Sequence, residues 1–365
     1  MIQISPETQL FIREHSSDDV RALALQAKKY PDINMPTAIT QIAGRQVAAE
    51  KIPSWREIEE IWYPKHLSLE QCSSEITARY KARLFQGDSL IDLTGGFGID
   101  CSFLATGFKT ATYVERQEEL CEIAAHNFPI LNLNHINVRN EDGVAYLQSM
   151  SPVDCIFLDP ARRNEHGGKT VAISDCEPNV AELEALLLSK ANRVMIKLSP
   201  MLDLSLALKE LKHTQEIHIL SVNNECKELL ILLGQTSPAE IAIHCVNLLT
   251  KGTQEEQHLV FTREQEQRSQ CTYTDSLGNY LYEPNASLLK AGAFRSIAAA
   301  YPVRKLHPNS HLYTSDSFIE NFPGRIFRIV NQCSFNKKEV KENLADLKKA
   351  NVTVRNFPTT VAELR

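Results

Sequence analysis

SLIDLTGGFGIDCSFLATGFKTATYVE, residues 89–115, is the stretch on which the reading of this chain turns. Leu90, Ile91 and Leu93 make a short apolar run around Asp92, and Thr94, Gly95, Gly96 and Gly98 follow at once. Small residues directly after a buried strand mean that the backbone turns sharply, and that something can approach it where no Cβ intervenes. Ile99, Phe103 and Leu104 then recur at helical spacing, and residues 110–114 are a β-branched and aromatic run ending at Glu115. Strand, glycine turn, helix and strand in that order open a nucleotide-type βαβ unit, although a glycine-rich turn occurs in many α/β proteins. A dinucleotide pocket requires G-x-G-x-x-G with an acid about 20 positions on. Counting from Gly96 and Gly98 puts the third glycine at Cys101, and counting from Gly95 fails at Phe97. The dinucleotide spacing is not met.

An S-adenosylmethionine pocket makes different demands: an acid before the turn, glycines whose amides face the methionine portion, and an acid ending the next strand to accept from the ribose hydroxyls. Asp92, Gly96, Gly98 and Glu115 fill those places. The stretch resembles motif I of class I methyltransferases, D/E-x-G-x-G-x-G, with Thr94 where the first glycine usually stands. Its D-x-T-x-G-x-G form is also similar, more weakly, to ribosomal-RNA guanine-N2 methyltransferases.

Bulk properties narrow the field. At 365 residues and 43% apolar, the chain can bury more than one core, and its length suggests two or three domains. No apolar run reaches membrane-spanning length, and MIQISPETQ lacks the basic then apolar pattern of a signal sequence. We read a soluble, cytoplasmic protein. Cysteines stand at 72, 101, 121, 155, 176, 226, 245, 271 and 333; none forms C-x-x-C and their number is odd. Neither a zinc ribbon nor a disulfide framework is indicated, so reduced thiols, no metal and no disulfide-linked partner are expected. The net charge of −6 is unevenly spread: residues 281–365 carry 13 Lys and Arg against 7 Asp and Glu, which leaves −12 for the rest. A basic terminal module on an acidic body suits a polyanion grip, and equally a solvated helical face.

Residues 1–86 read as helices joined by proline-bearing turns. Ser54 with Glu57, and Ser68 with Gln71, match the capping box, and a helix is predicted over 69–85. Its polar residues Gln71, Ser73, Ser74 and Thr77 are expected on an exposed face rather than at the mouth of a pocket. From residue 89 to 233, strand and helix patterns alternate. Helix 118–127 is followed by strands at 136–138, 153–158, 193–196, 217–222 and 229–233. Asp92, Glu115, Asp142, Asp159 and Lys197 mark the carboxyl ends of successive strands, the edge where open α/β sheets bind ligands. Residues 241–249 and 258–261 suggest two further strands, and 254–270 an exposed connection. The basic module would hold a helix at 286–300, a strand at 325–330, a charged helix at 337–350 and a strand at 352–357. Thr360 and Glu363 announce a last helix with no room left for it, the expectation for a module that continues past Arg365.

Methyl transfer from a sulfonium needs its acceptor held in line with its lone pair available. Asp159 followed by Pro160, at the end of the fourth strand, suits that task. The acid accepts from an amine or hydroxyl, while Pro160 stiffens the loop by fixing φ. Asp-Pro is also a common turn pair. DPAR, residues 159–162, resembles motif IV of nucleic-acid methyltransferases, D/N-P-P-x. More widely, EQCSSEITARYK (70–81), DLTGGFGID (92–100), LDPARR (158–163), KLSPMLD (197–203), NECKELL (224–230), FPGR (322–325) and VRNFP (354–358) resemble a family assigned to RNA methylation. Its members join a methyltransferase core to ferredoxin-like and THUMP-like modules.

That resemblance implies a Rossmann-like, seven-stranded, mostly parallel sheet over 87–280 with extra strands, an N-terminal helical region over 1–86, and a small ferredoxin-like α+β module leading into a THUMP-like module over 281–365. It implies that Asp92, Thr94, Gly95, Gly96 and Gly98 form the turn holding the methionine end of S-adenosylmethionine, that Glu115 takes the ribose and that Asp142 takes the adenine amine. Asp159, Pro160 and Arg162 would serve catalysis. Arg162 stands where amine methyltransferases often place an aromatic, and its guanidinium can stack on a base or meet phosphate. Arg163 and Lys197 are candidate substrate contacts, Lys197 being equally readable as a surface lysine. Arg325, Arg328, Lys337, Lys338, Lys341 and Arg355 are candidates for an RNA face, with tRNA or rRNA as partner. A small-molecule or protein methyltransferase, or an RNA-binding assembly factor without turnover, remains the alternative.

Overall fold

The computed structural model describes residues 4–162, 172–252, 255–345, 347–355 and 357–364. Six helices lead the chain: α1 Pro6–Glu14, α2 Val20–Leu25, α3 Met35–Lys51, α4 Pro53–Arg56, α5 His66–Gln71 and α6 Glu75–Leu84. There follow β1 Gly87–Asp92, α7 Ile99–Ala105, β2 Phe108–Glu115, α8 Glu118–Ile130, β3 Ile136–Asn140, α9 Gly143–Ser149 and β4 Val153–Leu158. A two-residue ladder, β5 Ala161–Arg162 with β6 Cys176–Glu177, precedes α10 Val180–Lys190, β7 Ala191–Leu198 and α11 Leu204–Glu210. Next come β8 Thr214–Val222, β9 Glu225–Gly234, β10 Ala242–Leu248, β11 Glu256–Phe261 and α12 Arg263–Arg268. The last part holds β12 Tyr280–Pro284, α13 Ala286–Ala291, α14 Phe294–Ala300, β13 Arg304–His307, β14 Ser310–Ser315, β15 Gly324–Arg328, α15 Lys337–Leu344 and α16 Val361–Leu364.

One mostly parallel sheet takes strands β1 to β4 and β7 to β11 in the order β11-β10-β8-β9-β7-β4-β1-β2-β3. Its nine strands are the expected seven together with the two further strands expected at 241–249 and 258–261. Alternation reveals strands but not their neighbours: β10 lies parallel to β8, and β11 pairs antiparallel with β10 to form the edge. The nine runs expected in this sheet all became strands, most of them lengthened at one or both ends by the ladder. Strand order reverses between β1 and β4, so the carboxyl ends of those two parallel strands flank the switch point at which such sheets form a crevice.

The chain divides into two compact units. The first comprises residues 1–215 with 230–237, and the second 216–229 with 238–365. In the first, Phe11, Ile12, Leu23, Met35, Ala38 and Ile42 close one helical core. A second core joins the leading helices to the sheet: Ile52, Trp55, Ile61, Tyr63 and Ala78 pack with Phe97 and Ile99. Trp55 meets Phe97 edge to face at 5.3 Å, so the apolar residue inside the glycine turn is held from behind by the N-terminal helices.

The helix expected over 69–85 is broken. α5 ends at Gln71, Cys72 and Ser74 are extended, and α6 starts at Glu75, which lets Ser73 turn inward. Neither expected capping box forms at α4 or α5: Ser54 and Ser68 stand inside their helices, and the Ser54 amide donates to Glu75 Oε2 at 2.9 Å instead. The box at Thr360 and Glu363 does form.

In the second unit β12 to β15 make an antiparallel sheet in the order β13-β14-β12-β15. The helix expected over 286–300 is two helices, because Gly292 adopts φ +77° and ends the first. The charged helix stops at Leu344 rather than 350; it buries no residue, so no packing extends it. Residues 352–355 and 357 form no strand. Their alternation is visible in exposure, but among the described residues no neighbouring strand pairs with them, and an unpaired extended run is not stable as sheet. Among the described residues, no helix is long and apolar enough to cross a membrane.

Candidate functional site

Four acidic residues meet at the carboxyl edge of the first unit, each placed by the strand before it. Asp92 ends β1 and is buried, accepting the amide of Thr94 at 3.0 Å. Burial pushes its carboxyl up to about 8; the Thr94 amide opposes this, and the neighbouring charges of Asp100, Asp159 and Glu115 add to it. Glu115 ends β2. Its Oε2 accepts from Gly96 N and its Oε1 from Gln117 N, both at 2.9 Å, so the acid expected at the ribose also braces the glycine turn. Asp142 caps α9, accepting from the amides of Val144 and Ala145 at 3.0 Å through Oδ1. Gly143 beside it has no room for a side chain, since a Cβ would stand 2.2 Å from Leu93 O. That close approach brings the loop after β3 against the loop after β1.

The turn itself is built from glycines with distinct tasks. A Cβ on Gly95 would stand 2.2 Å from the ring of Tyr113, and Gly98 begins α7 at φ +85°. Gly96 lies at φ +53°, where a Cβ would meet nothing nearer than Thr94 O at 3.8 Å. Its surface is therefore open to a molecule laid against it, while its carbonyl is held by the Tyr113 hydroxyl. Thr94, the departure from the motif, has a structural task of its own. Its Oγ1 accepts from the backbone amide of Asp159 at 2.6 Å, tying the turn after β1 to the end of β4. A glycine there would offer no such acceptor.

Asp159 follows β4 and keeps about a third of its side chain exposed (36%). Lys197, at the end of β7, reaches it with Nζ 2.5 Å from Oδ2. Lys197 is not a surface lysine: it is 8% exposed and also lies 3.0 Å from Ser73 Oγ and 3.3 Å from Asp100 Oδ2. Lys81, fully buried on α6, meets Asp100 Oδ1 and Ser73 Oγ at 2.8 Å each. The Ser73 hydroxyl in turn donates to Asp100 at 2.7 Å. Burial opposes the charge on Asp100, but Lys81 and Lys197 outweigh it and hold the carboxyl below the ordinary range. At Asp159 burial prevails and raises the carboxyl, with Lys197 pulling it back.

The expected exposed face of residues 71–77 is thus half wrong. Gln71 is exposed, but Ser73 and Thr77 are buried, and Ser73 sits at the centre of this network. Lys81 and Asp100, given no role from the sequence, are its most buried pair; a lysine on the inner face of an amphipathic helix was the available signal. Of Arg162 only the backbone is described, in the ladder with Cys176, and Arg163 lies outside the described residues. In the second unit, Arg325 and Arg355 both pair with the buried Glu283, whereas Arg328, Lys337, Lys338 and Lys341 are exposed. The first two share an ion pair with Glu283 while their side chains stay partly exposed.

Comparison with known proteins follows the same division. Residues 280–323 match a ferredoxin-like domain family and residues 324–365 a THUMP-like one. Residues 56–164 match the protein-L-isoaspartate(D-aspartate) O-methyltransferase family. A crystal structure from Porphyromonas gingivalis W83, assigned as a methyltransferase, is 35% identical over 100% of this chain and 92% of its own, with a TM-score of 0.87. Partial likenesses include TrmK of M. capricolum with S-adenosylhomocysteine, 12% identical over 44% of this chain and 68% of its own at TM-score 0.35. A Streptococcus mutans protein with the same molecule bound is 12% identical over 44% and 96% at 0.32. No curated relative matches.

The tie between Thr94 and Asp159 predicts that Thr94→Val, which keeps the shape and removes the acceptor, lowers unfolding stability by about 1–3 kcal/mol in urea titration, with Thr94→Ser close to wild type. The raised Asp92 has a defined sign: the folded state holds a proton that the unfolded state gives up, so its contribution is present at low pH and fades as pH rises through about 8. Thermal denaturation from pH 5 to pH 8 should therefore favour Asp92→Asn over wild type increasingly as pH rises.

Proposed function

The chain belongs to a family of methyltransferases with C-terminal ferredoxin-like and THUMP-like modules, and we propose that it methylates RNA using S-adenosylmethionine. The observation that carries the reading is Asp159, partly exposed at the switch-point edge of the sheet, with Lys197 Nζ at 2.5 Å and its own amide anchored by Thr94. The donor set fits the cofactor. Gly96 is open at the turn, Glu115 keeps lone pairs beyond the two amides it accepts, and Asp142 uses only Oδ1 for its helix cap. In this reading Asp92, Thr94, Gly95, Gly96 and Gly98 face the methionine end, Glu115 the ribose and Asp142 the adenine amine. When bound, S-adenosylmethionine supplies an electrophilic methyl group on a positively charged sulfur.

The chain's own residues then position the acceptor, for which a base amine is the class we favour. The Asp159 carboxylate accepts a hydrogen bond from the incoming N–H and turns the nitrogen lone pair into line, drawing off proton charge as the N–C bond forms. Pro160 limits the loop's freedom, and Lys197 opposes the upward push that burial gives the Asp159 carboxyl. Arg162 would stack on the base or meet a phosphate. For RNA as substrate, the support is the THUMP-like match and the exposed Arg328, Lys337, Lys338 and Lys341. We divide the chain accordingly into a helical region (1–86), a methyltransferase core with extra strands (87–280) and a basic substrate-binding module (281–365).

Labelled S-adenosylmethionine incubated with total RNA from a strain lacking the protein should transfer label to RNA, and Asp159→Ala should lower kcat/KM by about 100-fold. Label found only in protein or small metabolites, or an unchanged rate in Asp159→Ala, would remove the assignment.

A further inference from the structure

Eleven histidines are spread through the chain, and three of them converge on one patch of the second unit. Glu216 and His218 are two residues apart on β8, so they share a face of the sheet. Parallel register sets His244 of β10 directly beside His218, and antiparallel register sets His258 of β11 opposite Val246, diagonal to His244 on the same face. The rings stack accordingly: His218 and His244 are 4.3 Å apart and 13° from coplanar, and His244 and His258 are 5.3 Å apart. His218 Nε2 lies 3.2 Å from Glu216 Oε2, and His244 Nε2 lies 3.9 Å from the same oxygen. One ligand atom from each of these three residues falls within 4.8 Å of the others.

We propose that Glu216, His218 and His244 bind a divalent transition cation, Zn2+ as the first choice, with His258 orienting His244. The donor set is two imidazoles and a carboxylate, the chemistry of open three-ligand zinc sites. Tetrahedral zinc with bonds near 2.0–2.1 Å holds its donor atoms about 3.3 Å apart, so the 3.2 and 3.9 Å separations need only small rotamer adjustment. His244 Nδ1 lies 3.2 Å from His258 Nε2. A proton donated along that line fixes the tautomer that leaves the His244 Nε2 lone pair toward Glu216, the support that ligating histidines regularly receive. His218 is buried and Glu216 is about half exposed (47%), so the fourth position opens to solvent and would take water or a ligand atom. The cation would pin β8, β10 and β11 together at the sheet's edge. It departs from the absence of metal expected from cysteine spacing, because a site assembled by strand register leaves no motif along the chain.

The full-length protein, stripped with chelator and exchanged into metal-free buffer, is titrated with ZnCl2 by calorimetry and with CoCl2 by visible absorption. One ion per chain is expected in both, with a cobalt d–d band, and an upward shift in Tm on adding zinc. His244→Ala should weaken zinc at least about 100-fold and His258→Ala about 10-fold. Because truncating the buried His218 risks unfolding the strands, Glu216→Gln is the second ligand variant, with an expected loss of at least about 10-fold at unchanged circular dichroism. No zinc uptake by the wild type, or uptake unchanged in the Glu216→Gln/His244→Ala pair, overturns the assignment.

Discussion

Asp100 is the constraint on which the site rests. It is buried, and a lone carboxylate in that position would carry a desolvation cost of several kcal/mol. Lys81, Lys197 and the Ser73 hydroxyl cancel that cost by occupying its oxygens, and the second lysine reaches on to Asp159. Two lysines and two aspartates make a neutral set, so the burial is tolerable only while all four are present. Removing one leaves an uncompensated charge, and for that reason the network also specifies geometry: α6, α7, β7 and the end of β4 have one mutual arrangement that satisfies it.

That arrangement gives the carboxyl edge two kinds of acid. Asp100 is held charged by its lysines, whereas Asp92 is pushed by burial and by the surrounding carboxylates toward its protonated form. A cluster of four like charges would otherwise repel itself, and raising one member relieves it. Asp159 stands between these extremes, raised by burial yet paired with Lys197, the combination suited to a group that accepts a hydrogen bond during turnover. Thr94 completes the assembly by joining the loop of the glycine turn to the amide of Asp159.

Much of this was legible along the chain. The strand ends at Asp92, Glu115, Asp142, Asp159 and Lys197 follow from alternation and turn residues, because a strand and the loop that ends it are local features. The missing dinucleotide glycine at Cys101 was equally readable. Pairings at long range were not. Ser73, Lys81, Asp100 and Lys197 meet through packing, and periodicity can say that a lysine lies on an inner face without saying which carboxylate awaits it. The order in which the nine strands lie side by side escaped for the same reason, and so did the histidine patch, which exists only through the register of β8, β10 and β11. At the other extreme, the pattern at 352–357 promised a strand that has no partner among the described residues.

The central claim, that this edge binds S-adenosylmethionine rather than a dinucleotide, is tested most directly by calorimetric titration of the full-length protein with S-adenosylhomocysteine and, separately, with NAD. The account predicts one S-adenosylhomocysteine per chain, weakened at least about 10-fold by Glu115→Gln through loss of the charged ribose acceptor, and no NAD binding. Absence of S-adenosylhomocysteine binding, or binding of NAD in its place, would contradict it.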